Sequence, residues 1–181
     1  FDDQWAPTVA LTVAAEATTT LRVAALVYDV DYRHPVTLAK EIATLDVVSG
    51  GRVEFGIGAG WMTDDYEAAG IEFDRPGVRI DRMIEAIEVV QGLWSGEPFN
   101  FRGSHYEISG LTGTPSPHQP GGPPIIVGGG GKRVLTEAAL RADIVGLNAS
   151  LHAGSVGPET ALSALRERFL ERRNWVEEAA G

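Results

Sequence analysis

Gly50-Gly51-Arg52-Val53-Glu54-Phe55-Gly56-Ile57-Gly58-Ala59-Gly60-Trp61 is the stretch whose reading decides the fold. Val53 to Gly58 reads as a strand, and it runs into a loop through alternate glycines at 56, 58 and 60. The segment before it, Pro35 to Ser49, carries Leu38, Ile42 and Leu45 at helical spacing. Pro35 stands in the first turn, where a helix tolerates it, and Gly50-Gly51 ends the helix as glycine often does. A helix, a glycine stop, a strand and a glycine-lined exit make up the repeating unit of a parallel α/β sheet.

The same alternation continues in both directions. Upstream, Pro7 to Thr20 reads as an Ala-rich helix with Leu11 and Val13 among its apolar positions. Leu21 to Val27 reads as a short apolar strand buried on both faces, as in parallel sheets. Downstream, Asp64 to Ala69 starts a short helix, and Gly77 to Trp94 is the clearest helix in the chain. Ile80, Met83, Ile84, Ile87, Val90 and Trp94 share one side of it. Ser95 to Ser109 alternates and reads as a hairpin, and Leu111 to Pro124 is a Pro- and Gly-rich loop; together residues 96–124 form an excursion from a single domain over 1–181. Ile125 to Val127 is a strand that enters four glycines. A helix at Lys132 to Arg141, a strand at Ile144 to Leu147, a loop at Asn148 to Gly157 and a charged helix at Pro158 to Ala180 complete the order. The last helix has an apolar stripe of Leu162, Leu165, Phe169 and Val176. Strands alternating with helices imply right-handed crossovers.

Composition removes several functions. Hydrophobic content of 44% and charged content of 22% are those of an ordinary globular chain. No stretch approaches the roughly 18 apolar residues that span a bilayer, and Phe1 to Trp5 has no signal-peptide character, so a cytoplasmic protein without membrane contact is expected. A net charge of −10 argues against nucleic acid but permits one anionic small ligand held by backbone N–H groups. With no Cys, disulfides, thiolate metal sites and Cys nucleophiles are excluded.

Two strand ends carry the chemical signal, because ligands bind at the C-terminal ends of parallel strands. At Gly56-Ile57-Gly58-Ala59-Gly60, a tight turn without ligand and a close approach of ligand to backbone remain equal alternatives. The dinucleotide fingerprint fails, since Trp61 occupies its third glycine position. At Gly128-Gly129-Gly130-Gly131, followed by Lys132, successive N–H groups at a helix start favour an anion nest over a flexible turn. It is not a Walker loop: Ile126 and Arg133 stand where that motif needs Gly and Ser or Thr. His34, His105, His118 and His152 are scattered, so no metal site is expected. His34, just before Pro35, is read first as structural and second as a pocket residue. Trp61 and Tyr66 either line a pocket or pack. Asp64, Asp65 and Glu67 read as helix N-terminal acids ahead of a metal-binding pair. No G-x-S-x-G elbow supports a serine hydrolase.

Taken in order, these motifs resemble a known family. Arg33-His34-Pro35, Ala39-Lys40-Glu41, Thr44-Leu45-Asp46, Ser49 to Arg52, Gly56 to Trp61, Gly92 to Gly96, Phe101-Arg102-Gly103, Tyr106, Pro115 to Gln119, Pro123 to Gly131 and Ala142 to Asn148 are similar to luciferase-like monooxygenases, above all their deazaflavin-dependent actinobacterial branch. The resemblance implies a TIM-type (β/α)8 barrel and an oxidoreductase that uses reduced deazaflavin, coenzyme F420, for hydride transfer to an unknown small organic substrate. The alternative within the class is an FMN-dependent monooxygenase using oxygen. Outside it stand a non-catalytic cofactor-binding barrel fragment and a nicotinamide-binding domain. Ala25-Leu26 would carry a non-prolyl cis peptide under the ring. Ala59, Gly60 and Asp64 would lie beside the cofactor, and Gly128, Gly129, Gly130 and Gly131 would hold its phosphate. His34 and Trp61 are candidates for the substrate pocket; no catalytic acid or base is identified. A homodimer stays open. The resemblance also implies a partial barrel, with two strands before Phe1 and two after Gly181 missing, so that this piece alone binds cofactor poorly.

Overall fold

A computed structural model describes residues 4–151 and 154–181; Phe1, Asp2, Asp3 and His152 of the sequence reading lie outside them. The elements are α1 (Pro7–Glu16), β1 (Val23–Ala24), β2 (Tyr28–Asp29), a 3-10 turn (Val30–Tyr32), α2 (Pro35–Ser49), β3 (Val53–Gly58), α3 (Thr63–Ala69), α4 (Pro76–Trp94), β4 (Phe99–Arg102), β5 (Glu107–Leu111), β6 (Ile125–Gly129), α5 (Lys132–Arg141), β7 (Ile144–Leu147), α6 (Pro158–Ser163) and α7 (Arg166–Ala180). The main sheet is wholly parallel. β1 and β2 both pair with β3, which pairs with β6, which pairs with β7. It is part of a barrel wall, with helices on one face and every strand ending on the same rim. β4 and β5 form the separate antiparallel hairpin. Among the described residues no helix is long and apolar enough to cross a membrane.

Alternation along the strands divides the two faces. Val53, Phe55, Ile57, Ile125 and Val127 are buried under the helices. Phe55 meets Trp94 edge-on at 5.5 Å, and the Trp94 Nε1–H donates to the Ala39 carbonyl at 3.1 Å. α4 buries Met83, Ala86, Ile87, Val89, Val90, Leu93 and Trp94, while Ile80 and Ile84 flank that stripe half-buried. The opposite, inner face carries Glu54, Gly56, Gly58, Ile126, Gly128 and Gly146.

The lower rim is locked by polar contacts. Gly50 and Gly51 take φ of 68° and 82°, which only glycine adopts easily. The turn they make lets Arg52 donate to the carbonyls of Ser49 (2.7 Å), Leu21 (2.8 Å) and Ala15 (2.7 Å). Asp46, fully buried, accepts from the backbone and side-chain nitrogens of Gln119, each at 2.8 Å. The excursion at 96–124 is thereby tied to α2.

Four sequence expectations change. The strand expected at Leu21 to Val27 breaks after Ala24 and resumes at Tyr28. Three residues, Ala25 to Val27, stand opposite two, Phe55 and Gly56, so this is a bulged position. The non-prolyl cis bond lies there at Leu26–Val27, one residue beyond the expected Ala25–Leu26. The strand expected to stop at Val127 continues through Gly128 and Gly129, which pair with Gly146 and Leu147. The helix expected over Pro158 to Ala180 breaks at Ala164-Leu165, where Leu165 turns extended (ψ 147°). Leu162 and Leu165 of its supposed buried stripe are exposed; the residue that α7 buries is Arg172.

Candidate functional site at the upper rim

The upper rim gathers Asp29, the Gly58–Gly60 turn, the Gly128–Gly131 run and Asn148 on neighbouring strand ends. The glycines of the first run yield space to protein atoms. A Cβ at Gly56 would stand 2.0 Å from the Ala25 carbonyl oxygen, and one at Gly58 would stand 2.4 Å from Val27 Cγ2. These two glycines therefore admit the bulge of the neighbouring strand. Gly60 has φ 68°, and a Cβ there would meet the Tyr66 hydroxyl at 1.8 Å and Asp29 Oδ2 at 2.5 Å. Leu26 projects from the bulge almost fully exposed, at 80%. Ala59 is half-buried against the core.

The second run is built differently. Gly128 and Gly129 are strand residues, and Gly130 packs against the backbone of Ala149. Gly131, the N-cap of α5, has open space where a Cβ would be, and no side chain caps the helix. The first-turn N–H groups of α5 need an acceptor from outside the helix. Gly130 and Gly131 line a cleft of about 630 Å³, with Ser150, Ser163, Arg168, Arg172 and Trp175 on its other walls. Buried Arg172 reaches across, donating from Nε to the Gly130 carbonyl (2.9 Å) and from Nη1 to the Ser163 carbonyl (2.6 Å). The helix break at Ala164 frees that second carbonyl.

Between β2, α3 and α4 lies a polar cluster that the sequence did not announce. The Tyr66 hydroxyl sits 3.0 and 2.9 Å from the two carboxyl oxygens of Asp29 and 2.7 Å from Asp31 Oδ2. Arg82 pairs with both Asp31 and Asp74. Burial pushes the Asp29 carboxyl above the usual aspartate value, with opposing contributions from the Asp31 N–H and Tyr66 too small to reverse it. Burial, then the nearby aspartates, raise the Tyr66 hydroxyl far above an ordinary phenol. The same causes push Tyr32 up to about 12. Groups shifted by burial and by specific partners concentrate at functional sites. A cleft of about 350 Å³ opens beside the cluster, lined by Asp31, Arg33, His34, Asp74, Arg82 and Tyr106.

The expected site residues thus fall into separate places. Ala25, Leu26, Ala59 and Gly60 lie around the bulge and the turn after β3, and Gly128 to Gly131 run from the end of β6 to the head of α5. His34 caps α2, its Nδ1 accepting from Val36 N at 3.3 Å, and its ring meets Tyr106 edge-on at 5.3 Å in the smaller cleft. Trp61 is half-buried and lines neither cleft; Asp64 is exposed in the first turn of α3. Among the described residues no group of three or more His, Asp or Glu is placed to hold a metal.

Comparison with known proteins adds the family. Residues 3–174 match the model of the luciferase-like monooxygenases. An uncharacterized protein of Mycobacterium tuberculosis is 42% identical over 137 residues, 75% of this chain and 46% of that protein. The F420-dependent glucose-6-phosphate dehydrogenase of Amycolatopsis mediterranei is 29% identical over 77% of this chain and 40% of its own. The coenzyme F420 dependent tetrahydromethanopterin reductase of Methanopyrus kandleri superimposes with a TM-score of 0.80 at 23% identity, covering 99% of this chain and 51% of that one. The chain spans about half the length of the proteins it matches.

Proposed function

The chain belongs to the luciferase-like monooxygenase family, and on that premise we propose that it forms the cofactor-holding half of an F420-dependent oxidoreductase. The observation that carries the reading is the uncapped head of α5 at Gly131, open to a cleft of about 630 Å³ whose walls include Arg172, Glu159 and Arg168, the last paired with Glu171. An uncapped helix start with backbone N–H groups facing a cleft suits a phosphate. The F420-dependent relative, matched over 77% of this chain, supports the deazaflavin over FMN.

The residues fit such a group. Gly131 leaves room for a phosphate oxygen where any side chain would intrude, and Arg172 holds the Gly130 carbonyl back so that the N–H groups face the cleft. The bulge at Ala25 to Val27 presents backbone and the Leu26 side chain on the rim, an apolar support for a flat ring. Gly56, Gly58 and Gly60 keep that support in place, and Ala59-Gly60 forms its neighbouring wall. Bound there, the deazaflavin would supply hydride chemistry to a small organic substrate. The protein's contribution is to orient ring and phosphate so that reacting atoms meet in productive geometry.

Titration of the chain with oxidised F420 and, separately, with FMN, each followed by its own fluorescence, tests the reading. Tighter binding of F420 supports it. Because the partial barrel is expected to weaken both, the ratio decides: tighter binding of FMN moves the chain to the flavin branch, and equal affinities remove the proposal.

A further inference from the structure

The Tyr66 hydroxyl has one proton, yet its oxygen is within 3.0 Å of both oxygens of Asp29 and of Asp31 Oδ2. A single O–H donates along one of those directions at a time. If both aspartates were ionised, one carboxylate oxygen would press on the phenol oxygen with no hydrogen between them, inside a buried cluster where such contacts are costly. The contact becomes favourable when one carboxyl is protonated and donates to the free lone pair of Tyr66.

The surroundings decide which one. Asp31 is ion-paired with Arg82, and its side chain is only 2% exposed, so its charge is neutralised in place. Among the described residues no cation comes within ion-pair distance of Asp29. The charge of Arg79 opposes protonation of Asp29, but Arg79 is stacked on Phe73 with its guanidinium 3.8 Å from the ring centroid and forms no ion pair with Asp29. Asp29 Oδ1 already accepts the Asp31 N–H at 2.9 Å, which leaves Oδ2 as the oxygen free to carry a proton. The remaining groups around Asp29 are Tyr32 on the 3-10 turn and Asp65 on α3, whose charge adds to the same electrostatic pressure on Tyr32, together with Asp74, already paired through Arg82.

We infer that Asp29 is a carboxylic acid in the folded protein at neutral pH and heads an ordered chain in which Asp29 Oδ2–H donates to Tyr66 Oη and Tyr66 O–H donates to Asp31. Asp29 pairs with Gly58 on the inner face of the sheet, at its ligand end. Its proton is committed to Tyr66 and Asp29 lines neither cleft, so the acid is held beneath the rim, under the Gly60 turn. The far end of the chain, through Asp31, Arg82 and Asp74, borders the smaller cleft. This inference is independent of the cofactor reading and stands or falls without a ligand.

Two measurements test it on the chain as it is. Carbon-13 NMR titration of the side-chain carboxyls, with Asp29 assigned, should show Asp29 still protonated at neutral pH, far above the ordinary aspartate value of about 3.9. Ionisation of Asp29 complete below neutral pH overturns the inference, whatever any variant does. Asp29→Asn keeps one donor and one acceptor in place of the acid. Because the raised group binds its proton more tightly when folded, its stabilisation is full below the unfolded aspartate value and is lost as pH rises through the folded one. The Tm of Asp29→Asn should therefore gain on the wild type by several degrees between about pH 4 and about pH 8. A Tm difference that stays constant or shrinks over that span contradicts the inference.

Discussion

The two glycine runs of the upper rim look alike in sequence and end differently. Gly56, Gly58 and Gly60 are small because protein atoms occupy the space: the Ala25 carbonyl, the Val27 side chain and the Tyr66 hydroxyl with Asp29. Gly131 is small beside nothing, and the space faces a cleft. The first run shapes the scaffold; in the second, Gly129 and Gly130 likewise make room for Val134 and Ala149, and Gly131 alone borders open space. A glycine motif thus acquires meaning only when the atoms that would oppose its Cβ are known.

Substitutions can break this contrast. Gly56→Ala should have the largest effect, because its Cβ would stand 2.0 Å from a backbone oxygen that cannot rotate away. We expect a loss of about 3 kcal/mol or failure to fold, read by urea denaturation. Gly58→Ala should cost roughly 1–3 kcal/mol, since its opponent is a side chain. Val27→Ala removes that side chain, so Gly58→Ala made in its background should cost measurably less; a double-mutant cycle with no coupling would show that the bulge is not what Gly58 accommodates. At the other run, Gly131→Asp places a carboxylate against the proposed phosphate seat. It should weaken F420 binding at least tenfold, about 1.4 kcal/mol, while leaving Tm nearly unchanged. Gly131→Ala should have the smallest effect on stability, within about 1 kcal/mol, because the residue is extended (φ −99°, ψ 151°) and its Cβ meets no atom.

Much of the fold was legible because local signals and tertiary packing agreed. α2 and β3 have the bounds that Pro35, the helical spacing of Leu38, Ile42 and Leu45, and the Gly50-Gly51 stop implied. The bulge at Ala25 to Val27 was not legible as a break: Leu21 to Val27 is uniformly apolar, and the pairing is interrupted by the register against β3. The final helix misled for a related reason. Leu162 and Leu165 have helical spacing, but the break at Ala164 puts them on an exposed segment, and the buried contact passes to Arg172. The Asp29–Tyr66–Asp31–Arg82 cluster had no local signature at all. Tyr66 lies 37 residues from Asp29, and Arg82 lies 51 from Asp31, so only the fold brings them together. Of the candidate site residues, the glycine runs at strand ends followed from the parallel-sheet rule, whereas Trp61, in the loop after β3, and Asp64, exposed in the first turn of α3, line neither cleft.

In the proposed function, Gly131 at the head of α5 borders the seat of a deazaflavin phosphate. The most direct measurement is a parallel fluorescence titration of the chain and its Gly131→Asp variant with oxidised F420, with Tm recorded for both. The account expects binding by the chain and binding at least tenfold weaker by an equally stable variant; equal affinity of the two would contradict it.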